Sequence, residues 1–165
     1  MLLTNHVLSG ALIGALARRP LPALAAGVAS HFALDAVPHW GDWGSRRRFL
    51  RVAAADGLIS LAVAGAIAAV SPADRRPAVV AGMAGAALPD LDKPGIMWLG
   101  WSPYPSAVCR FHVRIQDEAR GRAPYEVLAA GACAAVVLLV LRRSRPAATA
   151  AAGSAGPPGT PGRRG

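Results

Sequence analysis

The chain has 165 residues, of which 53% are apolar and only 5% aromatic, and a formal charge of +9. An apolar content carried by Ala, Leu, Val and Gly suits small-residue helix packing in a membrane better than a water-soluble core. The basic excess does not point to nucleic acid. The arginines punctuate the ends of apolar runs, as Arg18-Arg19, Arg46-Arg47-Arg48, Arg75-Arg76 and Arg142-Arg143, which is the placement of membrane-flanking charge rather than of a basic reading face.

In chain order, Leu3 to Ala17 reads as an apolar helix with Thr4 or Asn5 as its N-cap, which puts His6 in the first turn. Arg18-Arg19-Pro20 breaks it. Leu21 to Val37 reads as a second apolar helix, and the short break predicts that the two pair as a hairpin. Trp40 to Arg51 is an aromatic and basic loop suited to a membrane interface. Val52 to Val70 is the clearest spanning segment and carries a single charge, Asp56. Pro77 to Leu88 is a Gly/Ala-rich helix that ends in Pro89-Asp90-Leu91-Asp92-Lys93-Pro94. Gly95 to Pro105 is a Trp-rich loop, and Ala107 to Arg122, the most polar region, reads as a surface or interfacial segment. Pro124 to Leu141 is a second spanning candidate, stopped by Arg142-Arg143. Residues 144–165 are rich in Pro, Gly, Ala and Ser and are expected to be a disordered tail, because they cannot bury enough apolar surface to fold. The two cysteines, Cys109 and Cys133, form no metal-binding or disulfide framework. No basic region precedes the first apolar run, so no cleaved signal peptide is expected.

The expectation is therefore an all-α integral-membrane bundle of about four to five apolar helices over residues 1–143, followed by the tail. The polar residues inside that apolar background carry the chemistry. His31 and Asp35 are four residues apart, so on a helix they share one face about 40° apart, and His39 follows one turn later beyond Pro38. His6, Asp56, Asp90 and Asp92 also lie in or at the ends of apolar segments. Ionisable residues in such segments are costly and mark function. Converging carboxylates repel one another unless a cation compensates, and a His/Asp set suits zinc, manganese or iron. An Asp-x-Asp at a helix C-terminus opposes the helix dipole, which favours a bound cation at Asp90 and Asp92. His112 lies on the polar segment, where a solvated role is the simpler reading.

Three short motifs together carry a resemblance. His31-x3-Asp35-x2-Pro38-His39 resembles the ligand helix of the zinc-dependent phospholipase C and single-strand nuclease superfamily. The wider pattern is similar to the bacterial family of membrane-bound, metal-dependent hydrolases (YdjM-like): Thr4-Asn5-His6 opens the first apolar helix, residues 30–39 carry the His/Asp/Pro-His motif, and Leu88-Pro89-Asp90-Leu91-Asp92 closes a later helix. The resemblance covers roughly residues 2–118. The soluble superfamily has more His ligands and an N-terminal Trp ligand that has no match here, so one or two metals are expected rather than three.

Residue pattern and resemblance together give a set of expectations. His6, His31, Asp35, Asp90 and Asp92 would hold a divalent metal, zinc by preference, with His39 and Asp56 as further ligands or supports. Asp56 or Asp92 would serve as general base, and His112, Arg110 or Arg114 would steady an anionic headgroup or phosphate. The expected activity is metal-dependent hydrolysis of a phosphoester or lipid-like substrate at the bacterial cytoplasmic membrane, with membrane lipid as the partner. Two alternatives stay open: a non-catalytic membrane protein with interhelical His/Asp pairs, and a metal-ion or proton transporter.

Overall fold

A computed structural model describes residues 1–41 and 44–144, the Trp98 side chain excepted. The loop residues Asp42 and Trp43, and the expected tail from residue 145 onward, lie outside the described residues. Seven α-helices are present among the described residues: α1 (Leu3–Ala17), α2 (Pro20–Asp35), α3 (Arg46–Val70), α4 (Arg76–Ala87), the single turn α5 (Asp92–Pro94), α6 (Ser106–Ile115) and α7 (Ala123–Arg143). A 3₁₀ turn, Leu88–Leu91, joins α4 to α5, and a π turn, Gly95–Leu99, follows α5. Two short strands, β1 (His39–Trp40) and β2 (Glu118–Ala119), pair in parallel, with His39 opposite Glu118.

The helix boundaries follow local chemistry. Pro20 and Pro124 sit in the first turns of α2 and α7, where the missing N–H costs nothing. Ser45 caps α3 by accepting from the Arg48 N–H at 3.2 Å. That places Arg46, Arg47 and Arg48 in the first turn of a helix rather than in the expected loop. Neither Thr4 nor Asn5 is the N-cap of α1. The helix begins at Leu3 after the extended Leu2, which provides no side-chain cap. Its leading N–H groups are satisfied from other helices instead. Asp56 of α3 accepts from Leu3 N at 2.6 Å and Thr4 N at 3.3 Å, and Glu126 of α7 accepts from Leu2 N at 2.8 Å. At the other end of α1, Arg18 turns left-handed (φ 58°) and the Arg75 guanidinium donates to the Ala15 carbonyl at 2.7 Å.

The heart of the bundle is α4, which packs along both α1 and α2. Close approach is possible because glycines face one another. A Cβ on Gly82 would overlap the Gly10 carbonyl oxygen, and one on Gly85 would overlap the Leu24 carbonyl. Small residues at such contacts let helix backbones meet directly, as in membrane-helix packing. The apolar core links this trio to α3 and α7 through Val7, Leu8, Val79, Met83, Ile67, Val137 and Leu141.

Two helices are long and apolar enough to cross a membrane, α3 with 25 residues and α7 with 21. At a 1.5 Å rise they measure roughly 37 and 31 Å, enough for a hydrocarbon core about 30 Å thick. Only 11% and 17% of their most apolar stretches are buried by protein. Leu58 and Leu61 on α3 and Val127 and Leu128 on α7 are all more than 60% exposed. In water, continuous apolar faces of this kind would be interaction or aggregation surfaces. Against the expected four to five spanning helices, α1, α2 and α4 have 15, 16 and 12 residues, fewer than the roughly 20 that cross a bilayer.

Candidate metal centre

The ends of four elements converge on one point. Asp35 is the last residue of α2, and the backbone beyond it is pinned: Asp117 N–H donates to the Asp35 carbonyl at 3.4 Å and His39 N–H donates to the Asp117 carbonyl at 2.9 Å. The small β1–β2 pairing thereby clamps the end of α2 to the end of α6. The clamp brings His112, on the inner face of α6, against His31 and Asp35. The 3₁₀ turn after α4 delivers Asp90 from the opposite side.

His31, Asp35, Asp90 and His112 form a group whose ligand atoms all lie within 4.8 Å of one another, and this group can hold a metal ion. Its edges can be tested against coordination geometry. His31 Nε2 lies 3.2 Å from Asp35 Oδ2 and 3.5 Å from Asp90 Oδ1. His112 Nε2 lies 2.8 Å from Asp35 Oδ2, 3.7 Å from Asp90 Oδ1 and 3.0 Å from His31 Nε2. A tetrahedron of N and O donors with bonds near 2.0 Å has six edges of about 3.3 Å; these five scatter around that length, and the sixth, between Asp35 and Asp90, is no longer than 4.8 Å.

The orientation of His31 strengthens the fit. Its Nδ1 lies 2.7 Å from the Ala86 carbonyl oxygen. A carbonyl only accepts, so Nδ1 carries a hydrogen, and Nε2 is the nitrogen turned toward the group. A backbone carbonyl holding the outer nitrogen is how ligating histidines are usually oriented. The His31 and His112 Nε2 atoms face each other at 3.0 Å, so a proton or a shared cation must stand between them.

His6 stands beside the four donors. Its ring stacks on His31 with centroids 3.9 Å apart, and its Nε2 lies 3.2 Å from Asp35 Oδ1. Asp35 thus presents its two oxygens to different partners. Oδ2 faces His31, His112 and the Gln116 amide (3.2 Å), while Oδ1 faces His6 and the Met1 backbone nitrogen (3.0 Å). Burial alone would raise the Asp35 carboxyl, but the hydrogen bonds from His112, His31 and His6 outweigh it and hold the group well below the ordinary carboxylate range. Asp90 behaves similarly. Burial pushes it up, the Lys93 ammonium 2.7 Å away pulls it down further, and the net shift is downward. Lys93 is lowered by burial and raised more strongly by Asp90, so its ammonium stays charged.

The remaining expected site residues are not among the four donors. Asp92 is buried just beyond Asp90, and its Oδ1 has no hydrogen-bond partner among the described residues. His39 is buried in β1, outside the four-donor group. Its Nδ1 donates to the Val37 carbonyl at 2.8 Å and its Nε2 has no partner among the described residues. Asp56 caps α1 and also accepts from the Thr4 hydroxyl at 2.6 Å. Arg110 and Arg114 lie on the outer part of α6, alongside the exposed Phe111 and Val113.

Three contributors were not legible as site residues. Glu126 reads in sequence as a solvated or capping charge. It is buried, and it ties together Leu2 N, the Asn5 amide and Trp40 N, the last at 2.8 Å. Gln116 and Lys93 belong to polar stretches whose spacing carries no ligand pattern. Lys93 is the chain's single lysine among 18 basic residues, and that rarity was the one available signal. Compared with family models, curated proteins and solved structures, the chain matches none of them.

Proposed function

We propose that this chain is a membrane-embedded, metal-dependent hydrolase whose centre is His31, Asp35, Asp90 and His112, with zinc as the preferred metal. The observation that carries the reading is the convergence of two imidazoles and two carboxylates within 4.8 Å of one another, with the outer nitrogen of His31 fixed on the Ala86 carbonyl. The uncovered apolar faces of α3 and α7 support the membrane setting. The motif resemblance points the same way, to a bacterial membrane hydrolase. Two histidines and two carboxylates form a donor set that suits zinc, manganese or iron.

A metal held by His31, Asp35, Asp90 and His112 would supply a water of near-neutral pKa and a Lewis acid for the scissile phosphoryl or carbonyl oxygen. The chain's own residues do the rest. Asp92, buried with an unpartnered oxygen, takes the proton of the attacking water and returns it to the leaving oxygen. Lys93, once Asp90 engages the metal, is freed to neutralise an anionic oxygen of the substrate. Gln116 and His6 hold the Asp35 carboxylate in place from either side.

The test is phosphate or headgroup release from phospholipid in mixed micelles, with and without added zinc or manganese. The reading expects metal-dependent release that falls at least a hundredfold in Asp92→Asn, with bound metal retained. Metal-loaded protein that releases no product but moves the ion across liposomes would replace the hydrolase with a transporter.

A further inference from the structure

A groove of about 530 Å³ lies beside this centre, between α3, the start of α1 and the π turn, with Asp90 and Lys93 in its lining. Phe49, Val52, Gly57 and Leu61 of α3 form one wall, with Leu3 of α1 and Met97 of the π turn on the others. Its volume falls in the ordinary range for small-ligand sites, roughly 300–1,000 Å³. The polarity is uneven. Three ionisable side chains line it, and the Asp56 carboxylate is engaged by the start of α1. That leaves Asp90 and Lys93, and both stand at the metal end.

The shape and charge of the groove restrict what it can take. The occupant must be apolar along its length, because the walls offer no hydrogen-bonding side chains beyond that end. It must be anionic at one end, because two cations line that end: Lys93, whose present partner Asp90 is a metal donor, and the Met1 ammonium, held by Asp35 at 3.0 Å. It must also be able to enter sideways. Leu58 and Leu61, which line it, are 71% and 72% exposed on one of the two helices long and apolar enough to cross the bilayer. From Phe49 to Leu61 the α3 wall extends about 18 Å at helical rise, comparable to an extended fatty acyl chain.

We propose that this groove seats one acyl chain of a membrane phospholipid, with the phosphate against Lys93 and the scissile bond over the Asp90 end of the metal centre. The inference rests on the hydrolase reading and names its substrate class. It also explains why a site built from polar groups lies at the mouth of an almost wholly apolar channel. Substrate is drawn from the bilayer by its chain, and binding of the unreactive chain positions the reacting phosphate.

Gly57 offers a clean perturbation. It lines the groove, and a Cβ added there meets nothing within 4 Å. Gly57→Phe therefore starts its side chain in open space on the groove wall, and it exchanges a poor helix former for a better one. The experiment uses the full chain in detergent and a set of lysophosphatidic acids carrying a photoactivatable diazirine at positions along the acyl chain. The expected label falls on residues 49–61 and 94–97. Unlabelled lysophosphatidic acid competes and glycerol 3-phosphate does not. Gly57→Phe reduces labelling at least tenfold, and Lys93→Gln weakens the phosphate probe about tenfold but not the chain-matched alcohol.

Label spread over the outward faces of α3 and α7 and unchanged by Gly57→Phe would overturn the proposal, since it would show only lipid surrounding the protein. Equal competition by glycerol 3-phosphate would overturn it too. Metal content, measured on the same samples, separates the two readings. Groove labelling in metal-free protein would refute the hydrolase alone, whereas diffuse labelling of metal-loaded protein would refute the groove alone.

Discussion

Replacing Asp56 with Asn separates a structural role from a catalytic one at one of the two positions, Asp56 and Asp92, that the sequence offers as general base. The Asp56 carboxylate accepts from Leu3 N at 2.6 Å, Thr4 N at 3.3 Å and the Thr4 hydroxyl at 2.6 Å. An asparagine keeps one acceptor oxygen for Leu3 N and turns its amide toward the Thr4 hydroxyl, which can accept. The Thr4 N–H is then unpaired, and the negative charge facing the positive end of the α1 dipole is lost. A hydrogen bond to a charged group contributes about 1.5–3 kcal/mol. For a chain of this size that corresponds to a drop of roughly 3–12 °C in the unfolding midpoint. The assay is thermal unfolding in detergent followed by circular dichroism, with bound metal measured in the folded sample. The account expects the lower midpoint with metal content unchanged. An unchanged midpoint with metal or activity lost would refute the capping role and return Asp56 to the chemistry.

Other consequences follow from packing and protonation. Gly82→Leu drives a side chain into the Gly10 carbonyl and should cost at least about 3 kcal/mol, the upper range for overpacking. Gly131→Ala on α7, where a Cβ meets nothing within 4 Å, should be neutral or stabilising by up to about 1 kcal/mol, and the two midpoints together check the glycine contact. Acidification should act in two stages, read by metal content and by circular dichroism across pH 3 to 8. Metal leaves first, because His31 and His112 must be unprotonated to bind it. The fold yields later. Asp35 and Asp90 are held below the ordinary carboxylate range, so they stabilise the folded state above about pH 4 and lose that contribution as pH falls further. Unfolding that precedes metal release would contradict that order.

Most of the helical frame was legible because long apolar runs bounded by Arg, Pro and Gly leave few alternatives. The start of α1 was not, because its N–H groups are satisfied by Asp56 and Glu126, distant in sequence, and no local pattern announces that. On the site, the i,i+4 spacing of His31 and Asp35 correctly placed both on one face, since that is a property of the helix alone. His112 read as a solvated residue because α6 is polar overall. Its inward face is visible only once β1 and β2 clamp the end of α6 to the end of α2. His39 drew attention by its place after Pro38, but the turn at Ala36 and Val37 carries it into β1 and outside the four-donor group. Lys93 escaped notice because a single cation has no spacing to read, and its meaning comes from standing 2.7 Å from Asp90 at the end of an apolar groove.

The central claim is that four side chains from α2, the 3₁₀ turn and α6 hold a divalent metal. It is tested most directly by elemental analysis of the detergent-purified chain beside His31→Ala and His112→Ala, with circular dichroism confirming that each variant is folded. The account predicts about one zinc or manganese per wild-type chain and at least a tenfold loss in each variant. A folded, metal-free wild-type protein after metal supplementation, or folded variants that keep the full metal content, would contradict it.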